Sequence, residues 1–319
     1  MARLNYAFVM TVDKKTKRKA SKASQREARN FYLYITPWLI GFSLFTIVPM
    51  ISSMIYSLQT ISVLDLGVGG TYVGLQNYKD VFRDDIFIAS IGNTFFYAFA
   101  KTFISLALAL TFSILLNQKF KGNKISRILV YLPAIIPTVA SVMVWSQLFS
   151  KDFSLINYLL SFFGVAPIDW MSYQNSMGSV LLMGIWTTIG PNMLICLAAL
   201  QGVPNEMLEA AEIDGAGPLR KIFSITIPTI SPTLFFISIT GIIGGLQAYA
   251  EMQLLVGPTD KTLTMAWNVI LNAFSLDGTK TMGYACAQAW ILFVIIIIFT
   301  GIYFKVSNKF VYYGDGGKN

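Results

Sequence analysis

The sequence predicts an all-α membrane protein of six transmembrane helices with both termini cytoplasmic, on three observations. Apolar residues make up 55% of the chain and charged residues only 13%, with a mean hydropathy of +0.59; that balance excludes a soluble two-domain protein. Six stretches, near 32–57, 90–116, 126–148, 178–200, 222–248 and 284–306, are apolar over the roughly twenty residues needed to cross a hydrocarbon core of ~30 Å. Charge also sorts by loop. Nine Lys and Arg lie in the first thirty residues, four in the 117–127 loop (Lys119, Lys121, Lys124, Arg127), two at Arg220 and Lys221, and three at Lys305, Lys309 and Lys318. The alternate loops hold five: Lys79, Arg83, Lys151, Lys261 and Lys280. By the positive-inside rule the richer side, with both termini and the 204–221 loop, is cytoplasmic.

Residues 1–30 read as a basic cytoplasmic tail, because their only apolar patch, Ala7 to Met10, is too short for a signal-peptide core. Ser24 and Glu27 have capping-box spacing and predict a helix start. Such a lysine cluster suits anionic membrane lipid rather than nucleic acid. A transmembrane domain over 31–314 follows, with a short tail at 315–319.

Within span one, Pro37 and Pro49 should bend the helix. The outer loop after it offers Asn77 as the cap of a short helix whose Tyr78, Val81 and Phe82 lie on the interface. In span two, Asn93, Tyr97, Lys101 and Ser105 recur at i+4 as one polar stripe, and an intramembrane lysine is functional or paired by default. Lys101 is thus either structural, snorkelling or paired with an acid, or a pathway residue. Pro133 and Pro137 imply kinks in span three, which also carries Trp145. Span four places Gly184, Thr188 and Asn192 at i+4 with Pro191 breaking the ladder, a pattern shared by a cavity-lining face and by close helix packing. Span five has Gly241 and Gly245 in GxxxG spacing, then Gln247, Tyr249, Glu251 and Gln253, which suit hydroxyl-rich ligands or mark the aqueous edge. Span six carries Trp290 with Ala285, Ala287 and Ala289 on its outer half. From stripe position the candidate pathway residues are Tyr97, Lys101, Thr188, Asn192, Gln247, Glu251 and Trp290.

Between spans four and five lies a charged island, Pro204 to Pro232. Asn205 is a fitting N-cap for a short helix with Glu206, Glu209 and Glu212 along one side. The helix should stop at Gly215, and Pro218 after Gly217 should open a second one carrying Arg220 and Lys221. The sequence offers no constellation for catalysis on this chain. It has no histidine, its two cysteines (Cys196, Cys286) lie in apolar spans, and no G-x-x-x-x-G-K-[ST] occurs. No metal site is expected.

The island's spelling, Glu209-Ala210-Ala211, then Asp214-Gly215-Ala216-Gly217-Pro218 and Ile225-Thr226-Ile227-Pro228, closely resembles the EAA loop of ABC-importer membrane subunits. Tyr72 to Tyr78 resembles the "VGLxNY" signature of carbohydrate-type permeases of the maltose, glycerol-phosphate and multiple-sugar kind, followed by Asn93-Thr94. Pro133, Pro137 and Trp145 match the family's "LPxxxPxxxxxxxW" style. Gly257-Pro258-Thr259 through Phe274 is similar to its "GGPxxxTxTL…AF" segment with one glycine missing, and Tyr312-Tyr313-Gly314 to its "VYYG". The resemblance spans about 30–314. It implies a multi-pass cell-membrane (inner or cytoplasmic) subunit forming, in a heterodimer with a second permease, the path for a carbohydrate delivered by an extracytoplasmic binding protein. A cytoplasmic ATP-binding subunit dimer would hold the ATP and Mg, leaving this chain without a cofactor. Glu209, Ala210, Ala211, Asp214, Gly215 and Ala216 would form the ATPase-coupling loop. The alternative is an ion-coupled secondary transporter or channel using Lys101 and Glu251, for which internal inverted repeats would be the sign.

Overall fold

A computed structural model describes residues 22–65, 69–118, 120–151, 154–275 and 280–307. Most of the basic tail, Lys119, Lys309, the segment Tyr312-Tyr313-Gly314 and the 315–319 tail lie outside these residues. The chain divides into two compact units, Met1–Ser52 and Ser53–Asn319.

The first unit carries α1 (Lys22–Phe42), a π-turn at Ser43–Ile47 and the start of α2 (Val48–Ser57). α1 is already running at Lys22, the first described residue, and Pro37 sits inside it. The π-turn ends two residues before Pro49, with Val48 N–H reaching back to Ser43 O. A proline lacks its own donor and crowds the carbonyl four residues earlier, and a wider turn relieves that crowding.

The second unit opens with a two-stranded antiparallel pair, β1 (Gln59–Thr60) and β2 (Thr71–Tyr72), in register Gln59 with Tyr72. This small sheet departs from the all-helical expectation. α3 (Gln76–Val81) follows, capped at Leu75 and not at Asn77. Asn77 is instead buried, its side-chain amide donating to Ser57 O and Gln59 O at 2.9 Å each, and so ties α3 to the hairpin. Val81 is fully buried and Phe82 exposed, so the interfacial face is narrower than expected.

The unit's long helices are α4 (Asp85–Leu116), α8 (Ser176–Gln201) and α15 (Met282–Ser307). Between the first two come α5 (Asn123–Tyr131), α6 (Thr138–Leu148) and α7 (Leu155–Ser161). After α8 come α9 (Asn205–Ile213), α10 (Pro218–Lys221), α11 (Ile227–Thr229), α12 (Ser231–Leu246), α13 (Ala250–Leu255) and α14 (Met265–Ala273). Four helices in the described residues are long and apolar enough to cross a membrane, or up to six if each of two bent pairs is one span.

The bent pairs correct the reading of spans three and five. Span three turns by 100° between Ile135 and Thr138, more than a kink. Ile136 sits extended at ψ 127° and Pro137 at ψ 141°, the conformation a proline imposes on itself and its predecessor. Span five bends by 67° at Ile230, just before Ser231-Pro232, and has a second π-turn at Ile222–Thr226, which also ends two residues before a proline, Pro228. Conversely, α8 runs unbroken through Pro191, where a break was expected; one proline removes a single rung of the ladder.

α4 is the spine, packed along α8 on one side and α12 on another. Glycine sets the closeness of approach. A methyl carbon at Gly245 would stand 2.6 Å from Ala98 Cα, and one at Gly241 would stand 2.8 Å from Thr102 Cγ2. The GxxxG pair is therefore a packing seam, where small residues let two backbones meet.

Candidate functional site

The face of α4 that turns inward carries Tyr97, Lys101, Thr102 and Ser105. Opposite, α8 offers Thr188 and Asn192, and α12 offers Thr240, Gly241, Gly244 and Gly245. The junction of the three helices leaves a cavity of about 290 Å³ lined by these groups of α8 and α12 with Lys101, Thr102 and Ser105. Thr188 donates to Gly184 O at 2.8 Å and Ser105 to Thr102 O at 3.1 Å, so both hydroxyls are satisfied within their own helices. The hydroxyls of Tyr97 and Thr102 are enclosed without a partner.

The lysine finds its acid across the fold. Lys101 Nζ lies 3.5 Å from Glu251 Oε1, with the two side chains 14% and 20% exposed. Its ammonium also stands 5.2 Å from the centre of the Tyr97 ring, within cation–π range. Glu251 is delivered by the first turn of α13, which starts afresh after the helix is interrupted at Gln247 to Tyr249. An unpaired ammonium among apolar spans is costly, and this carboxylate offsets it.

The structure thus brings Tyr97, Lys101, Thr188 and Asn192 to one junction and attaches Glu251 to it through the ion pair. Gln247 closes the end of α12 as an exposed residue and does not line the cavity. Trp290 lies elsewhere, on an apolar groove of about 470 Å³ with Leu58, Tyr78, Phe82 and Ile295, edge-on to Phe293 at 5.2 Å. Three lining residues were missed, Thr102, Thr240 and Gly244. Thr102 is Lys101's sequence neighbour, and only the fold turns both of them toward one space.

The island between α8 and α12 has a different character. Pro204, not Asn205, holds the cap position of α9, and Asn205 is its first helical residue. Gly215 adopts φ +77°, Gly215 N–H bonds Glu212 O at 3.0 Å, and Ala216 N–H bonds Ala211 O at 2.9 Å. This pair of bonds around a left-handed glycine is the Schellman stop. α10 starts at Pro218, as its fixed φ favours. No residue of α9 or α10 is buried. Glu209, Ala210, Asp214 and Gly215 are exposed, and Ala211 and Ala216 are half-buried beside a small cavity of about 170 Å³ that also touches Asp214 and Arg220. Ile213 is 88% exposed and Leu219 71%. Lys221 pairs with Glu212 at 3.3 Å.

A third cluster was not read from the sequence. Asp84 caps α4 by accepting from Ile86 N–H at 3.0 Å, and its other oxygen accepts from Lys280 Nζ at 2.8 Å and Tyr284 OH at 2.6 Å. Burial pushes the Asp84 carboxyl up, but the hydrogen bonds from Lys280 and Tyr284, the Lys280 charge and the Ile86 N–H together hold it below the usual carboxylate range. Among the described residues no group of three or more His, Cys, Asp or Glu is placed to hold a metal ion.

Residues 101–311 match the family model described as "Binding-protein-dependent transport system inner membrane component". The chain is 35% identical over 305 residues to "Probable ABC transporter permease protein YesP" of Bacillus subtilis (strain 168), covering 92% of this chain and 96% of that one. It is 30% identical over 290 residues to "Trehalose/maltose transport system permease protein MalF" of Thermococcus litoralis, covering 90% and 97%. It is 31% identical over 293 residues to "sn-glycerol-3-phosphate transport system permease protein UgpA" of Yersinia pestis, covering 88% and 95%. The fold is similar to a chain in the crystal structure of a bacterial ABC transporter involved in the import of the acidic polysaccharide alginate, with a TM-score of 0.77 at 21% identity over 90% of this chain and 99% of that one.

Proposed function

Since this chain belongs to the family of binding-protein-dependent transport system inner membrane components, we propose that it forms, with a second permease, the translocation path for a carbohydrate handed over by an extracytoplasmic binding protein. It is an ABC-importer permease, and the pairing with a related but different chain, the carbohydrate and the partners are the proposal. The names of relatives that carry trehalose, maltose or glycerol phosphate support the substrate class. The α4–α8–α12 cavity, with Lys101, Thr188 and Asn192 on its wall, is the part of the path this chain contributes. Both termini and the α9–α10 pair face the cytoplasm in this reading, as the loop charges require.

The observation that carries the reading is the exposed acidic helix pair. α9 rests on the core only through half-buried Leu208 and Ala211, α9 and α10 have no fully buried residue, the Gly215 stop sets the turn between them, and the pair presents exposed Glu209, Ile213 and Leu219. Such a surface fits a cleft on an ATPase subunit, with Glu209 pairing an arginine there. ATP and Mg belong to that partner, and its closure reaches the spans through α10, which runs directly into the π-turn at Ile222 and the bent fifth span. The ion-coupled alternative, built on Lys101 and Glu251, has its two charges side by side, but family membership favours an ATPase as the source of work.

Gly215→Val forces a β-branched residue into the left-handed region and opens the angle between the two helices. The expected outcome is loss of uptake and of substrate-stimulated ATP hydrolysis, with the chain still in the membrane and at normal abundance; normal uptake by this variant argues against the coupling role. Orientation is checked separately with Glu212→Cys, which should react with a membrane-impermeant thiol reagent from the inside only.

A further inference from the structure

We propose that the cavity between the ends of α4, α5 and α8 binds the headgroup of an anionic phospholipid, one that joins a phosphodiester to free hydroxyls. The cavity measures about 980 Å³, and its wall includes Lys121, Lys124, Arg127, Asn117, Asn123 and Gln201. Its charge is of one sign, for the residues lining it include no Asp or Glu. None of the three cations is in an ion pair among the described residues, where the three salt bridges use Lys101, Lys221 and Lys280.

Two enclosed polar atoms at this place lack partners. Arg127 Nη2 donates to Leu116 O at 2.8 Å while its Nε–H is unmet. The side-chain amide of Asn123 donates to the same carbonyl at 2.7 Å while its Oδ1 accepts nothing. Enclosed polar atoms are almost always paired, so a donor and an acceptor left together describe a missing ligand with both functions. A phosphate oxygen answers the guanidinium, and a glycerol hydroxyl answers the carboxamide oxygen. α5 adds the N–H groups of Lys124 and Ile125 in its first turn, since Gly122 at φ +95° caps it without a side chain while Asn123 N–H bonds Phe120 O. Phe120 and Ile125, 48% and 65% exposed, give the rim an apolar side suited to the glycerol and acyl region.

Position agrees with this chemistry. The cavity begins where the apolar run of α4 ends, at Leu116 and Asn117, which is headgroup depth. A basic pocket between helix ends on the cytoplasmic side is a recurrent lipid-headgroup site. The leaflet, though not the chemistry, rests on the orientation proposed above. No residue is shared with the α4–α8–α12 cavity.

The test is native mass spectrometry of the full chain in detergent, offered phosphatidylglycerol and phosphatidylcholine in equal amounts, with thermal melting as a second readout. The wild-type chain should retain phosphatidylglycerol over phosphatidylcholine by about 30-fold, the preference worth two lysines at a charged interface, and lose much of it at high salt. K121Q/K124Q should bring the ratio near one without lowering the lipid-free melting temperature, because both lysines are exposed. K14Q/K15Q/K17Q, in the tail, should leave it unchanged. Retention by the pocket variant, or loss by the tail variant alone, overturns the proposal. Equal stabilisation by millimolar inorganic phosphate overturns it too and makes the site one for a free anion. No lipid preference in the wild-type chain overturns it in favour of an acidic protein surface.

Discussion

The inner seam and the outer corner of this protein each hold a lysine–carboxylate pair, and the two pairs are built differently. At the corner, Asp84 is saturated: one oxygen takes the cap N–H of Ile86, the other takes Lys280 and Tyr284, and the ammonium lies 4.2 Å from the tyrosine ring centre. At the seam, Lys101 and Glu251 stand 3.5 Å apart beside a cavity, with Tyr97 and Thr102 hydroxyls unmatched close by. A saturated pair fixes geometry, whereas a loose pair next to polar space leaves donors for something else. The corner therefore reads as a clasp between α4 and α15, and the seam has the open polar groups that the proposed translocation path requires.

The sharpest way to break this contrast is to remove one charge from the seam. Glu251→Gln strands the Lys101 ammonium, and stability should fall by about 3 kcal/mol, the low end for a broken buried pair because water reaches both groups. Lys101→Met combined with Glu251→Leu should recover most of that loss while uptake stays impaired. Thermal melting in detergent beside an uptake assay reads both, and recovered uptake in the double variant would make the pair purely structural.

A smaller effect is expected at the corner. Asp84→Asn removes the charge on two hydrogen bonds and should cost about 2 kcal/mol. The depressed Asp84 carboxyl also fixes the sign of the pH dependence. Its stabilisation is complete above the ordinary carboxylate range near pH 4 and disappears as pH falls through the lower folded value. The wild-type melting temperature should therefore drop on acidification below about pH 4 more steeply than that of the Asn variant; parallel curves would remove Asp84 from the account.

The least effect belongs to the exposed pair on the α9–α10 turn. Glu212 is 72% exposed, so Lys221→Ala should shift stability by no more than about 0.5 kcal/mol. A larger loss would mean that this turn is held by its own charges and not by the Gly215 stop.

Local chemistry was legible in the sequence. Apolar length marked the four helices long enough to cross a membrane and the two bent pairs, Pro218 and Gly215 marked the start of α10 and the stop of α9, and the i+4 spacing of Tyr97, Lys101 and Ser105 put them on one inward face. What was missed involved partners far away in sequence. Asn77 looked like a cap because capping is a local habit, but its amide bonds backbone carbonyls 18 and 20 residues earlier. Trp290 looked like a pathway residue, and the packing of α15 put it on another groove.

Hydropathy, charge asymmetry and turn residues act within a few positions of chain, and they determined that this is a multi-span helical protein with an acidic helix pair between α8 and α12. Only the tertiary structure decided that Lys101 meets Glu251 across 150 residues, that span three turns through 100° at Pro137 while α8 passes Pro191 unbroken, and that Asp84 and Lys280 share a corner. The reason is physical. A charge in an apolar span must find a partner wherever packing supplies one, and packing is set by the close approach of surfaces such as Gly245 on Ala98.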